Sequence, residues 1–264
     1  MDNYSIISKS PLMKVDCLMT FGCVYILTGV CIMALYAIAD LHLGKGINKT
    51  MDLFGEPWIN HMDKLIENWK NTVGEDDTVL VPGDICWAKN LKEAETDMEI
   101  LRGLPGKKVL LEGNHDYWWD SQSKVTAAYP DMVFIKNNCY MYKDFAICGS
   151  RGWLCPNDTK FDDADKKVYN RECVRMKLSL GSAVSKGYGD NIIVIMHYPP
   201  MNDKHEASGF TELFDKYSGI KKVLYGHLHG KESIEGRFEG ELNGVEYELV
   251  SADFLGFTPV KIMD

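Results

Sequence analysis

From residue 33 onward, short apolar runs alternate with amphipathic stretches. Leu35-Tyr36-Ala37-Ile38-Ala39 opens the series as a buried strand. Trp58, Ile59, Met62, Leu65, Ile66 and Trp69 then recur at three- and four-residue steps, which predicts a helix over 56–71 with one buried face. Thr78-Val79-Leu80-Val81 reads as a strand stopped by Pro82-Gly83. Residues 91–102 read as a helix with Leu91, Ala94, Met98 and Leu101 inward, and 108–111 as the next strand. Short runs at 132–135, 139–142 and 145–148, with Asn137-Asn138 and Lys143-Asp144 between them, predict a meander. A long helix follows over 162–186, with Val168, Cys173, Met176, Leu180 and Val184 on its buried side. Residues 191–196 are almost continuously apolar, as in a central strand covered on both faces. A helix over 210–217, a strand over 222–225 and a tail alternating like antiparallel strands complete the pattern. No repeat, low-complexity tract or linker interrupts it, so a single α/β domain over 33–264 is expected, with helices packed outside sheets.

The start of the chain has a different character. Residues 17–39 carry no charge, Lys9 and Lys14 precede them, and Ala37-Ile38-Ala39 imitates a signal-peptidase site. Because 35–39 also supplies the first strand, what remains falls short of the roughly 20 residues of a membrane span. Residues 1–32 are therefore read as an extension outside the domain, with Met33 as a natural start; a membrane anchor is the alternative. The whole chain of 264 residues is 45% hydrophobic and 25% charged, which suits a soluble globular protein. Its net charge of −9 argues against a nucleic-acid surface. Eight cysteines without a C-x-x-C pair suit reduced core thiols in the cytoplasm.

Polar residues close strand after strand. They are Asp40-Leu41-His42, Gly83-Asp84, Gly113-Asn114-His115-Asp116, His197-Tyr198-Pro199-Pro200 and Gly226-His227-Leu228-His229. Two of these carry ligand types at i and i+2, which point the same way in an extended segment. Five of the seven histidines fall in these clusters; His61 and His205 do not. Each cluster alone is an ordinary turn, but their joint placement at strand ends, where open α/β sheets bind ligands, is specific. Two carboxylates, an amide oxygen and several imidazoles make a mixed oxygen–nitrogen site without thiolate. Such a site suits Mn²⁺ first, with Fe or Zn as alternatives. The donors exceed the needs of one ion and point to a two-metal centre of the about 3.5–4 Å kind used in phosphoester hydrolysis.

The ordered series Asp40-x-His42, Gly83-Asp84, Gly113-Asn114-His115-Asp116, His197 and Gly226-His227-x-His229 resembles the calcineurin-like metallophosphoesterases. Tyr117-Trp118-Trp119 and Gly149-Ser150-Arg151-Gly152-Trp153 look like a bacterial branch of that superfamily. The resemblance implies a four-layer α/β/β/α sandwich with two divalent ions at the strand ends. One ion would take Asp40, His42, Asp84 and His229; the other Asp84, Asn114, His197 and His227, with Asp84 shared. A metal-bridging hydroxide would attack phosphorus in line, with His115, protonated, serving the phosphoryl oxygens or the leaving group. Arg151 is a candidate phosphate clamp, with a salt-bridged structural role of equal weight. Trp118, Trp119 and Trp153 are read as core before pocket wall. The second Asp that orients the catalytic His in protein phosphatases of this superfamily is missing from Gly83-Asp84-Ile85-Cys86-Trp87, so the partner of His115 is open. Asp116 would steady the turn or help His115 indirectly.

The function expected is hydrolysis of phosphomonoesters or phosphodiesters of small molecules. A nuclease is disfavoured by the acidic balance. A non-catalytic scaffold is disfavoured by the complete ligand set.

Overall fold

The run that begins at Leu35 becomes a central strand of the first of two sheets. The computed structural model describes residues 33–157 and 161–264; the reading of residues 1–32 lies outside them. The order is β1 (Leu35–Ala37), α1 (His61–Thr72), β2 (Thr78–Pro82), α2 (Leu91–Arg102), β3 (Lys107–Leu111), α3 (Gln122–Ala128) and β4 (Val133–Ile135). Then come β5 (Cys139–Tyr142), β6 (Phe145–Ser150), α4 (Asp163–Ser185), β7 (Ile192–Met196), α5 (Gly209–Phe214) and β8 (Ile220–Tyr225). The chain finishes with α6 (Gly230–Glu235), β9 (Gly240–Leu242), β10 (Val245–Leu249) and β11 (Val260–Met263). Among the described residues no helix is long and apolar enough to cross a membrane.

One sheet has the order β11-β1-β2-β3-β4 and the other β5-β6-β7-β8-β10-β9. Strands β1 to β4 run parallel, as do β6, β7, β8 and β10. Among the described residues only the outer strands β11, β5 and β9 pair antiparallel. Parallel strands end on the same side, so each sheet delivers several strand ends to one edge.

Alternation along the strands sorts their side chains into separate cores. Val79, Val81 and Leu110 face Leu65, Trp69 and Met98 of the helices outside the first sheet. Val194 and Val223 meet Met176, Leu180 and Phe210 outside the second. Leu80, Val109 and Leu111 meet Ile147, Ile193, Ile195 and Leu224 between the sheets. The layering is therefore α/β/β/α, as expected.

Four local expectations are corrected. The helix predicted from residue 56 starts at His61, because a 3₁₀ turn over Glu56–Trp58 and a left-handed Asn60 (φ 53°) interrupt it. The predicted meander is a β5–β6 hairpin alone; β4 lies parallel to β3, so the chain changes sheets between β4 and β5. In the tail, β10 is parallel to β8, and β11 returns to the first sheet. On α4 the buried side is Tyr169, Glu172, Met176, Ser179, Leu180 and Ala183, while Val184 is exposed. Two of those inward residues are polar, and hydrogen bonds satisfy them. Glu172 accepts from Ser150 Oγ (2.9 Å) and Arg175 Nη1 (2.7 Å), and Ser179 Oγ accepts from the Gly149 N–H (2.9 Å). Trp118 and Trp119 are core, as read, whereas Trp153 is half-buried. The described cysteines Cys86, Cys139, Cys148, Cys155 and Cys173 are all free thiols.

Candidate metal centre

All five polar strand ends meet at one edge of the sandwich, but not by simple strand alternation. β1 stops at Ala37, and Asp40 (φ 62°) and His42 (φ 45°) both adopt left-handed backbone, as do Asp84 (φ 51°) and His227 (φ 73°). That conformation costs a residue with a Cβ roughly 1–2 kcal/mol. Backbone hydrogen bonds hold it: the Asp40 N–H donates to the Gly83 carbonyl and His42 N–H to that of Asp84, both at 3.0 Å. Strain concentrated this way is a mark of functional sites. The glycines of the motifs serve a different need. A Cβ on Gly113 would overlap the Asp84 carboxylate, and one on Gly226 would sit 2.5 Å from Asp40 Oδ2. Each carboxylate thus occupies the space that a side chain in a neighbouring motif would need.

The structure brings all seven predicted ligands together. His42 Nε2 and His229 Nε2 face each other at 3.3 Å, and His229 Nε2 lies 3.3 Å from Asp40 Oδ1. On the other side, His197 Nε2 is 2.7 Å from Asn114 Oδ1, 3.2 Å from His227 Nδ1 and 3.4 Å from Asp84 Oδ1. Asp84 reaches both groups, its Oδ2 being 3.7 Å from His42 Nε2. Asp40–His42–His229 and Asp40–Asp84–His197 each converge tightly enough to hold an ion.

The donor chemistry fits cations. His197 Nδ1 donates to the Pro82 carbonyl at 3.1 Å, so its Nε2 lone pair faces the oxygens of Asn114 and Asp84. Acceptors turned on acceptors in a buried place call for a positive ion between them. His229 Nδ1 likewise donates to Asp253 Oδ1 at 2.9 Å, a carboxylate–histidine pairing of the kind that orients metal ligands. Asp253→Asn is expected to weaken metal binding by about 10–100-fold, the usual cost of losing such a partner, as isothermal titration with Mn²⁺ would measure.

Electrostatics follow from burial and crowding. Burial alone would raise Asp40, but His229, His197 and His42 outweigh it and hold the carboxyl well below the usual range. Burial pushes Asp84 up to about 8, and the charge on Asp40 adds to the shift. Burial also depresses His42, His197 and His227, the last to about 3. For His229 burial acts downward, yet Asp40 and Asp253 lift it to about 10.

The remaining candidates divide. The His115 N–H donates to Asp84 Oδ1 at 2.8 Å, and its Nε2 stands 4.0 Å from Asp84 Oδ2. Its Nδ1 is buried without a hydrogen-bond partner. In place of an orienting carboxylate, the Trp87 indole packs on the ring, with centroids 4.2 Å apart, and also stacks on His42 at 4.9 Å. Lys49 Nζ lies over the same indole. Burial is the largest cause that lowers His115 to about 4, and His197 and Lys49 act in the same direction. Asp116 steadies the turn: it accepts from the N–H groups of Gly113 (2.8 Å), Ile85 (2.9 Å) and Cys86 (3.1 Å) and from Trp118 Nε1 (3.0 Å). Arg151 meets the site through its carbonyl, which accepts from the His197 and Tyr198 N–H groups. Its guanidinium lies 3.8 Å from the buried Glu172 carboxylate and over the Trp153 ring.

Three site residues escaped the sequence: Asp253, Trp87 and Lys49. Asp253 had a signal, because it follows β10 through Val250-Ser251-Ala252, a sixth strand closing on a polar residue. Trp87 and Lys49 had none, since their contacts depend on how two loops fold over each other.

This assembly could hold metal ions at the edge of an α/β/β/α sandwich, and the chain belongs to the calcineurin-like phosphoesterases, whose family model matches residues 33–231. It is 24% identical over 166 residues to a probable cyclic nucleotide phosphodiesterase of Ruthia magnifica subsp. Calyptogena magnifica, covering 59% of this chain and 63% of that protein. It is 35% identical over 85 residues to an uncharacterized protein of Methanocaldococcus jannaschii, covering 31% and 46%. The chain thus spans less than two thirds of either relative. The structure of TT1561 from Thermus thermophilus shares the fold with a TM-score of 0.53 at 11% identity, covering 88% of this chain and 98% of that one.

Proposed function

We propose that this protein is a dinuclear-metal-dependent phosphoesterase acting on phosphomonoesters or phosphodiesters of small molecules. The observation that carries the proposal is the convergence of Asp40, His42, Asp84, Asn114, His197, His227 and His229 beside the partly exposed ring of His115. Asp40, His42, Asp84 and His229 would hold one ion, and Asp84, Asn114, His197 and His227 the other. When bound, two divalent ions supply about four positive charges to attract a phosphate and acidify water for in-line attack.

The chain's own residues do the rest. Asp40 and Asp84 offset part of that charge, and the outward hydrogen bonds of His197 and His229 keep their Nε2 atoms facing the site. His115 stands by the shared carboxylate, where its ring can donate a hydrogen bond to a phosphoryl oxygen or the leaving oxygen. An arriving phosphate anion raises the imidazole pKa again and favours the proton that a leaving alkoxide needs. Arg151 remains the candidate clamp for an outer phosphoryl oxygen, anchored by Glu172. Mn²⁺ suits the donor set best, and the name of the Ruthia relative favours a diester. Five free thiols suit the reducing cytoplasm.

The purified protein supplied with Mn²⁺ is expected to hydrolyse p-nitrophenyl phosphate or its bis-ester, read by nitrophenolate absorbance. Absence of turnover of both, with every divalent metal tried, would overturn the proposal.

A further inference from the structure

One cavity of about 310 Å³ opens beside the metal cradle, and the phosphoryl chemistry does not use it. His227, the candidate ligand whose ring packs against Tyr198 with centroids 4.0 Å apart, lines it. From there Trp153, Tyr198, Leu228 and Phe238 make a mainly aromatic wall. The wall is held in place from behind. Trp153 Nε1 donates to Asp165 Oδ1 at 2.9 Å, and Tyr225 Oη donates to the Phe238 carbonyl at 2.6 Å. Phe238 also packs edge-on against His205 and Tyr247.

The polar lining is equally selective. Asp203 and Glu232 contribute carboxylates. Arg237 has its charge offset by Glu239 at 2.7 Å and its Nη1 engaged by the Ile234 carbonyl at 2.8 Å. Its Nε is buried with no hydrogen-bond partner. Such a cavity offers mainly aromatic surface with carboxylates at its polar edge, and no excess positive charge for a second phosphate. Its volume falls at the lower end of small-ligand sites, enough for one bicyclic ring.

We infer that the cavity seats the organic arm of the phosphoester, and that this arm is an uncharged, flat aromatic or heteroaromatic group. The inference rests on the phosphoesterase reading, since it is the phosphate at the metal cradle that places the arm beside His227. Diphosphates are the substrates it disfavours most, because a second phosphate meets carboxylates, and a polyhydroxyl arm is disfavoured because it is desolvated against an aromatic wall that it cannot hydrogen-bond.

Two measurements separate this inference from the reading beneath it. The first is turnover of 2-(2-naphthyl)ethyl phosphate and glycerol 3-phosphate, each as monoester and methyl diester; both release primary alkoxides, so intrinsic reactivity is matched. The second is calorimetric binding of the non-hydrolysable 3-(2-naphthyl)propylphosphonate and 3,4-dihydroxybutylphosphonate to the Mn²⁺-supplied protein. The naphthyl member of each pair is expected to be favoured at least about tenfold, the scale set by burying a ring of this size. Phe238→Ala removes the wall, and Ser233→Trp fills the cavity from an exposed position without touching the core. Each is expected to cut the naphthyl-to-glycerol ratio by about tenfold, the same preference undone. A wild-type protein without the preference, or a preference surviving in both variants, overturns the inference. If no ester is hydrolysed yet the phosphonate preference is present, the phosphoesterase reading falls and the cavity assignment stands.

Discussion

Asp84→Asn protein is expected to lose both metal ions, with binding weakened well beyond the about 10–100-fold cost of an outer-shell change. The side chain keeps its shape, so the loss isolates charge. Asp84 Oδ1 faces His197 and Oδ2 faces His42, and the carboxylate also accepts the His115 N–H. Its carboxylate therefore ties both groups to the turn that carries His115. Elemental analysis after dialysis against limiting Mn²⁺ would show near-zero content, where loss of one ion alone would deny the shared role. pH supplies a second readout. Burial and Asp40 hold Asp84 near 8, so at pH 7 the metal must displace a proton, and wild-type affinity rises as pH climbs through that value. The Asn variant lacks this step. The sign for metal-free stability is opposite. A carboxyl whose folded pKa is raised contributes stability at low pH that is lost as pH passes about 8. In chelator above pH 8 the variant should therefore melt higher than the wild type, trading metal binding for stability.

His115→Ala is expected to behave in the reverse manner, keeping its metal and losing turnover by about 10²–10⁴-fold, the usual worth of a positioned proton donor. Its ring belongs to neither ligand group, and its contact with Asp84 is through the backbone N–H, which the substitution retains. The loss should be larger for alkyl esters than for p-nitrophenyl esters, because nitrophenolate departs without a proton. Equal losses on both would move the ring's role from the leaving group to the phosphoryl oxygens. Trp87→Leu should reproduce part of the defect, since the indole is the surface on which that ring rests.

Much of the site was legible because it is written in local motifs. Asp40, His42, Asp84, Asn114, His197, His227 and His229 all follow apolar runs, and parallel strands carry such ends to one edge. Asp40 and His42 nevertheless reach the site through left-handed backbone and not through the two-residue period of a strand. Periodicity failed where buried residues are polar. Glu172 and Ser179 turn inward on α4 because Ser150 and Gly149, 22 and 30 residues away, and the neighbouring Arg175 satisfy them, and no hydropathy pattern records such partners. The destination of β4 and β10 was illegible for a related reason, since a strand's pattern states how it is covered and not which neighbour it joins.

The two halves of the cradle come from different sheets. Asp40, His42, Asp84 and Asn114 follow β1, β2 and β3, while His197, His227 and His229 follow β7 and β8. What separates them is the aliphatic layer of Leu80, Leu111, Ile195 and Leu224. That layer works as a calliper: its thickness sets how far apart opposing donors stand, at a tolerance of about half an ångström for a working site. Trimming or swelling a side chain there alters the gap that a cation must bridge, so the oiliest part of the molecule governs its most ionic function.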